Sequence, residues 1–177
     1  MDPLTHGLAG AAASIVISKN KNRRPAAATG FITPLLADLD FFIHSPADPL
    51  LNLEIHRQFS HSLLFIPAGA LIAFGLLWWF MRKKVKATEL FLYCLVSYAT
   101  AGVLDACTSY GTMLLWPFSD ERIAWNIISV IDPVFTLFFG GLIVYSVISY
   151  KKKFTYIALL WLTVYFSFGY FQKERAT

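Results

Sequence analysis

Apolar runs of some sixteen to twenty residues recur along the chain, set apart by short basic clusters, and this alternation constrains the fold more than any other feature. A run of that length approaches the ~20 residues an α-helix needs to cross a bilayer. Only 15% of the 177 residues are charged and 56% are hydrophobic, against about 25% charged in a soluble domain. The sequence therefore predicts an all-α, polytopic integral membrane bundle of about six membrane-embedded helices, in a single domain spanning 1–177. A soluble enzyme, a disulfide scaffold and a coiled coil are excluded. The 15 basic residues outnumber the 11 acids, but they come in clusters between apolar runs and form no continuous basic face, so no nucleic-acid partner is expected.

The spans are expected at about Pro3 to Ser18, Pro25 to Ile43, Ser62 to Phe80, Thr88 to Ala106, Pro133 to Tyr150 and Phe154 to Phe171. Asp2-Pro3 and Asp132-Pro133 both read as a helix N-cap followed by proline at the first helical position. Met113 to Ile131, interrupted by Pro117 and by Ser119-Asp120-Glu121-Arg122, suits an interfacial or re-entrant segment. The acidic Met1-Asp2-Pro3 start is unlike a cleavable signal peptide. Cys94 and Cys107, thirteen positions apart on one expected helix, lie roughly 20 Å from each other and cannot bridge.

If six segments alternate, residues 19–24, 82–86 and 151–153 share one side and carry eleven of the fifteen Lys and Arg residues. The positive-inside rule makes that side cytoplasmic. All four histidines and every acid except Glu89 then gather at or near the opposite end. Charge bias orients Lys and Arg but says little about Asp and His, so this clustering needs another cause.

Asp38, Asp40 and Asp105 fall at the trailing ends of expected helices, where the helix dipole disfavours a carboxylate by roughly 0.3–1 kcal/mol. A cation is the simplest compensator. Residues two apart on a helix point some 200° away from each other, so Asp38 and Asp40 share a centre only if the helix ends there; otherwise one faces the site and the other caps or orients. His56-Arg57-Gln58-Phe59-Ser60-His61-Ser62 is the densest polar stretch. His56 and His61 converge if the first lies in an approach loop and the second on an opening helical turn capped by Ser60. With His6 one turn into the first helix, imidazole and carboxylate together suit zinc or another first-row divalent ion. Arg57 is a planar fork for a phosphate or carboxylate, or else a headgroup-snorkelling side chain. His44, beside Ser45-Pro46, reads as a loop residue. The tryptophans fit interfacial belts, and no P-loop, GxGxxG or GxSxG occurs.

Met1-Asp2-Pro3-Leu4-Thr5-His6-Gly7, Leu36-Ala37-Asp38-Leu39-Asp40, the 56–62 stretch and Leu104-Asp105-Ala106-Cys107-Thr108-Ser109-Tyr110-Gly111-Thr112 occur in that order. Together with Trp116-Pro117-Phe118 and Ile131-Asp132-Pro133 they make the chain resemble the YdjM-like family of bacterial inner-membrane proteins, regarded as metal-dependent hydrolases. The resemblance implies a hydrolytic centre drawn from His6, Asp38, Asp40, His56, His61 and Asp105. Where such proteins commonly have a histidine four residues before Asp105, this chain has Ala101. The expected activity is metal-dependent hydrolysis of an ester or phosphoester, lipid or lipid-linked, at the extracytoplasmic face. In it, His6, His56, His61 and Asp105 hold a divalent ion, zinc first, while Asp38 or Asp40 ligates or acts as base and Arg57 clamps an anionic group. An ion-binding or transport protein and an inactive scaffold of the same fold are the alternatives.

Overall fold

The computed structural model describes residues 1–43, 51 and 55–176. Among the described residues these α-helices follow one another: α1 (Pro3–Ile17), α2 (Arg23–Leu35), α3 (Ile66–Met81), α4 (Ala87–Ala106), α5 (Pro133–Ser149) and α6 (Lys153–Ala176). No strand is present among the described residues beyond two isolated bridges, Thr108 with Ile128 and Thr112 with Ile123. His44 and Ser45 lie outside the described residues.

Two helices, Ala87–Ala106 and the Lys153–Arg175 stretch of α6, are long and apolar enough to cross a bilayer by themselves. The other apolar helices, α1, α3 and α5, have 15, 16 and 17 residues, or about 22–26 Å at 1.5 Å per residue against a hydrocarbon core of ~30 Å. Two expected boundaries move. The second apolar stretch stays α-helical only to Leu35, after which Ala37–Phe42 winds as a 3-10 turn. The third starts as a helix at Ile66 rather than Ser62, with Pro67 in its first turn, where a missing N–H costs nothing. Ser60 is therefore no helix cap; residues Phe59–His61 form a separate 3-10 turn.

The polar and apolar surfaces are inverted relative to a water-soluble bundle. Leu137, Phe138, Ile148, Leu160, Val164 and Phe168 on α5 and α6 are exposed, whereas Ser14, Ser97, Ser146 and Thr155 are fully buried. The Ser14 and Ser97 hydroxyls meet at 2.6 Å between α1 and α4, and those of Ser146 and Thr155 at 2.7 Å between α5 and α6. Without a hydrophobic force between helices in lipid, small residues and hydroxyl pairs are what bring backbones together. Asp2 and Asp132 cap α1 and α5 as their Asp-Pro pairs predict, accepting from the N–H groups of Thr5 and Phe135 at 3.0 Å each.

The Cys107–Asp132 connection is irregular and straps one end of the bundle. Its backbone is tied to the end of α4 (Trp125 N–H to Ala106 O, 2.7 Å), to the N-terminal segment (Asp2 N–H to Val130 O, 3.0 Å) and to the 57–63 turn (Leu63 N–H to Leu114 O, 2.9 Å). The basic connectors at 19–24, 82–86 and 151–153 sit at the other end, because α1, α3 and α5 all run towards it. In a background lacking Cys94 and Cys107, which are both buried free thiols, Lys84→Cys and Glu121→Cys are expected to react with an impermeant thiol reagent from opposite faces of the membrane. Glu121→Cys should label in intact cells and Lys84→Cys only after permeabilisation; labelling of both from one face would overturn the bundle's placement across the bilayer.

Candidate metal centre

Four segments far apart in sequence deliver polar side chains to the strapped end. The Asp2 cap starts α1 so that Thr5 is fixed, its hydroxyl 2.6 Å from both Asp2 Oδ2 and the Thr136 hydroxyl. His6 follows, fully buried. α2 brings the Ala37–Phe42 turn, where three residues per turn send Asp38 and Asp40 in different directions. The 56–61 segment supplies His56, Arg57, Ser60 and His61. Asp105 comes from the last turn of α4, fully buried. Two glycines permit the approach. A Cβ on Gly102 would lie 2.2 Å from the carbonyl oxygen of His61, so the His61 backbone rests directly on α4. Gly69 leaves room for Tyr98, whose nearest ring atom would lie 2.2 Å from a Cβ there; the Tyr98 hydroxyl then donates to Ser60 O at 3.0 Å.

His6, Asp38, His61 and Asp105 each present one donor atom, and these atoms lie within 4.8 Å of one another. His6 Nδ1 is 3.1 Å from Asp38 Oδ2 and its Nε2 is 3.0 Å from Asp105 Oδ1. His61 Nε2 is 3.3 Å from Asp38 Oδ1 and 3.2 Å from Asp105 Oδ2. Arg57 Nε approaches the same Asp105 Oδ2 at 3.1 Å, and the α-amino group of Met1 contacts Asp105 Oδ1.

Asp40 makes a different set of contacts. Its Oδ1 is 2.7 Å from His56 Nδ1, and its Oδ2 accepts from the Arg57 backbone N–H at 3.0 Å and from the Ser60 hydroxyl. Asp40 is thus saturated with donors and positions its neighbours. The hydrogen bonds from His56 and Ser60, with the nearby His61 imidazole, overcome the effect of burial and hold its carboxyl well below the usual carboxylate range. Asp38 behaves similarly: burial raises its pKa, but the hydrogen bond to His6 and the neighbouring His61 imidazole bring it down to about 2. His56, with Asp40 and 5.6 Å from the Phe41 ring, lies outside the four-donor group.

The Ser60 hydroxyl fixes the tautomer of His61. Its single proton goes to Asp40, so at 2.9 Å from His61 Nδ1 it must accept the Nδ1–H. In neutral His61 the Nε2 lone pair then faces two carboxylate oxygens. Neither His61 Nε2 nor Asp105 Oδ2 has a partner with hydrogen-bond geometry, although both are buried. Three electron-rich atoms facing one another favour a cation between them, in addition to the Arg57 guanidinium and the Met1 amine that flank Asp105. A proton is one candidate: burial opposes it, but Asp38, Asp40 and Asp105 outweigh burial and raise the pKa of His61 to about 9. A metal ion satisfies the geometry better, because a proton on Nε2 reaches neither oxygen along a hydrogen-bond direction. Four donors placed tetrahedrally at 2.0–2.1 Å from zinc lie about 3.3 Å apart; the closest contacts among the four residues here are 3.0–3.3 Å, and one donor atom from each lies within 4.8 Å of the others. The residues present therefore fit a divalent ion.

Arg57 is held in an unusual backbone conformation, φ 61°, the left-handed region that a non-glycine residue enters at a cost of about 1–3 kcal/mol. Asp40 binds its N–H, and its carbonyl accepts from Met113 N–H at 3.1 Å and from the Thr112 hydroxyl at 2.9 Å. Its guanidinium lies 4.9 Å from the Tyr110 ring centroid, Nη2 donates to Met1 O at 3.2 Å, and Nη1 is buried without an acceptor. Ala101, where the resemblance expects a histidine, is fully buried in an apolar cluster with Ala37 and Tyr98. The roles of Ser60, Tyr98 and Thr112 escape sequence reasoning; each acts through a contact with a distant backbone or side chain, and a lone hydroxyl carries no spacing signal.

A cavity of about 380 Å³ opens beside the four donors, lined by Asp38, His56 and Arg57 on one side and by Leu35, Leu39, Phe41 and Phe42 among others. Leu39, Phe41 and Phe42 are more than half exposed.

A family model described as YdjM inner membrane protein matches residues 1–176. No curated protein and no solved structure matches the chain.

Proposed function

The chain belongs to the YdjM inner membrane protein family, and from that premise we propose that it is a metal-dependent hydrolase of a lipid or lipid-linked ester or phosphoester. The observation that carries this reading is His61 Nε2, buried without a hydrogen-bond partner and turned towards Asp38 and Asp105, beside a cavity with both polar and apolar walls. His6, Asp38, His61 and Asp105 would hold the ion, zinc being the best match to two imidazoles and two carboxylates. Such an ion supplies Lewis-acid polarisation of a carbonyl or phosphoryl oxygen.

The remaining roles belong to this chain's own groups. Asp40 accepts from Ser60 and so keeps the His61 ring in the tautomer that offers Nε2 to the centre, the arrangement in which a carboxylate orients a ligand histidine. Asp38, 18% exposed and lining the cavity, is the carboxylate that faces the space a substrate and its attacking water would enter. Arg57 offers Nη1 to an anionic oxygen of the substrate. Leu35, Leu39, Phe41 and Phe42 would receive its hydrocarbon part. The carboxylates gather at one end of the bundle rather than midway along it, which favours chemistry over a conduction path.

The test is turnover of a phosphodiester and a carboxyl-ester lipid in mixed micelles by detergent-purified protein. Chelation is expected to abolish hydrolysis and zinc to restore it. Arg57→Ala should retain metal but raise KM for the phosphoester by about 10-fold or more, the loss of a charge-assisted hydrogen bond. Full metal occupancy with no turnover of either lipid would favour the ion-binding alternative.

A further inference from the structure

At the end of the bundle opposite the metal centre, a second cavity of about 380 Å³ lies between the α1–α2 and α3–α4 connectors. Lys19, Lys21, Arg82, Lys83, Lys84 and Lys86 line it, with Glu89 the single carboxylate. That carboxylate is already engaged: Glu89 is 2.9 Å from Lys19 Nζ and accepts from Asn22 Nδ2 at 2.8 Å. Six cations therefore surround one concavity with no free counter-charge among the residues lining it. The positive-inside rule accounts for basic connectors but not for two of them, some sixty residues apart in sequence, enclosing a common space.

The surroundings specify the anion. Trp78 forms part of the wall. The Arg82 guanidinium lies 4.0 Å from the centroid of Trp79, as expected of side chains at headgroup level. Leu76 and Ile72, each more than half exposed, continue from Trp79 along α3 at i−3 and i−7 as an apolar stripe. A cationic cavity joined through Arg82 and Trp79 to an apolar helix face complements a phosphate headgroup carrying hydrocarbon chains. We propose that this cavity binds the headgroup of an anionic phospholipid from the leaflet on the basic side, with its chains along α3. A freely soluble anion would use the charge but not the stripe.

The experiment is native mass spectrometry of the full chain equilibrated in micelles with equal amounts of phosphatidylglycerol and phosphatidylcholine. One phosphatidylglycerol is expected to be retained in preference to phosphatidylcholine. Lys21→Gln with Lys83→Gln should weaken that retention roughly 30-fold, at about a factor of five for each lysine near a membrane surface. Lys21→Arg with Lys83→Arg should preserve it, which separates loss of charge from loss of fold. Lys151→Gln with Lys153→Gln removes equal charge outside the cavity and should change retention by less than about twofold. Equal retention of the two lipids, equal loss in both glutamine pairs, or displacement of the lipid by inorganic phosphate at matched concentration would each overturn the proposal.

Discussion

Zinc-loaded protein purified in detergent is expected to carry one ion per chain, and Asp105→Asn and His61→Ala are each expected to carry almost none. Both residues are fully buried, and each contributes an atom that has no hydrogen-bond partner. Losing either should weaken binding by more than about 100-fold, beyond the ~10–100-fold typical of a residue that only orients a ligand. Asp40→Asn should fall within that lower range, since it releases Ser60 and through it the His61 tautomer. His56→Ala, one contact further away on Asp40, should cost less than about 10-fold, and the exposed Asp120→Asn nothing. Because Asp105 also contacts Arg57 and the Met1 amine, its substitution will lower stability; His61→Ala, which leaves those contacts in place, keeps the test independent of that loss. Acid should release the ion as well. With His61 titrating at about 9 when it holds a proton, each pH unit below that value lowers apparent affinity about tenfold through this residue alone. Equal metal content in His61→Ala and Asp120→Asn would remove the centre as described.

Gly10→Leu is expected to be the most damaging single change away from the centre. A Cβ at Gly10 would lie 2.2 Å from the carbonyl oxygen of Gly30, and one at Gly30 would lie 2.3 Å from the carbonyl oxygen of Gly10. The two backbones of α1 and α2 are thus in reciprocal contact, and no rotamer change can relieve a clash with backbone. Overpacking costs typically 1–3 kcal/mol where side chains can adjust; here the cost should reach about 3 kcal/mol or more, a fall in thermal midpoint of roughly 10 °C. The same displacement separates His6 on α1 from Asp38 beyond α2, so metal retention should fall together with stability. Gly141→Leu is the matched control, because a Cβ there meets nothing within 4 Å. Equal midpoints for the two variants would show that α1 and α2 are not held at that distance.

Much of the architecture follows from local physics written along the chain. The apolar runs become helices, Asp2 and Asp132 cap α1 and α5 as their prolines require, and the basic connectors collect at the end opposite His6, Asp38, Asp40, His56, His61 and Asp105. The chemistry available at the site was equally legible, since imidazole and carboxylate are the residue types a divalent ion needs. Two local readings failed where short-range rules compete. Ser60 has the composition of a helix cap, yet its hydroxyl goes to Asp40 and the helix waits until Ile66. The apolar run through Ile43 conceals a change from α to 3-10 winding after Leu35.

Selection of the four donors from the seven polar candidates lay beyond the sequence. Spacing fixes the direction of a side chain within one element, so it could state that Asp38 and Asp40 diverge but not which of them meets His6 and His61. That depends on distances between elements, and those distances are set by close contacts that leave no periodic trace: Gly10 against Gly30, and the carbonyl of His61 against Gly102. The sequence by itself determined a membrane-embedded helical chain with metal-ligating residue types gathered at one end. Only the tertiary structure decided that His6, Asp38, His61 and Asp105 share a centre while Asp40 and His56 stand behind it, because an ångström-scale cluster is a property of how helices pack and not of how each helix is spelled.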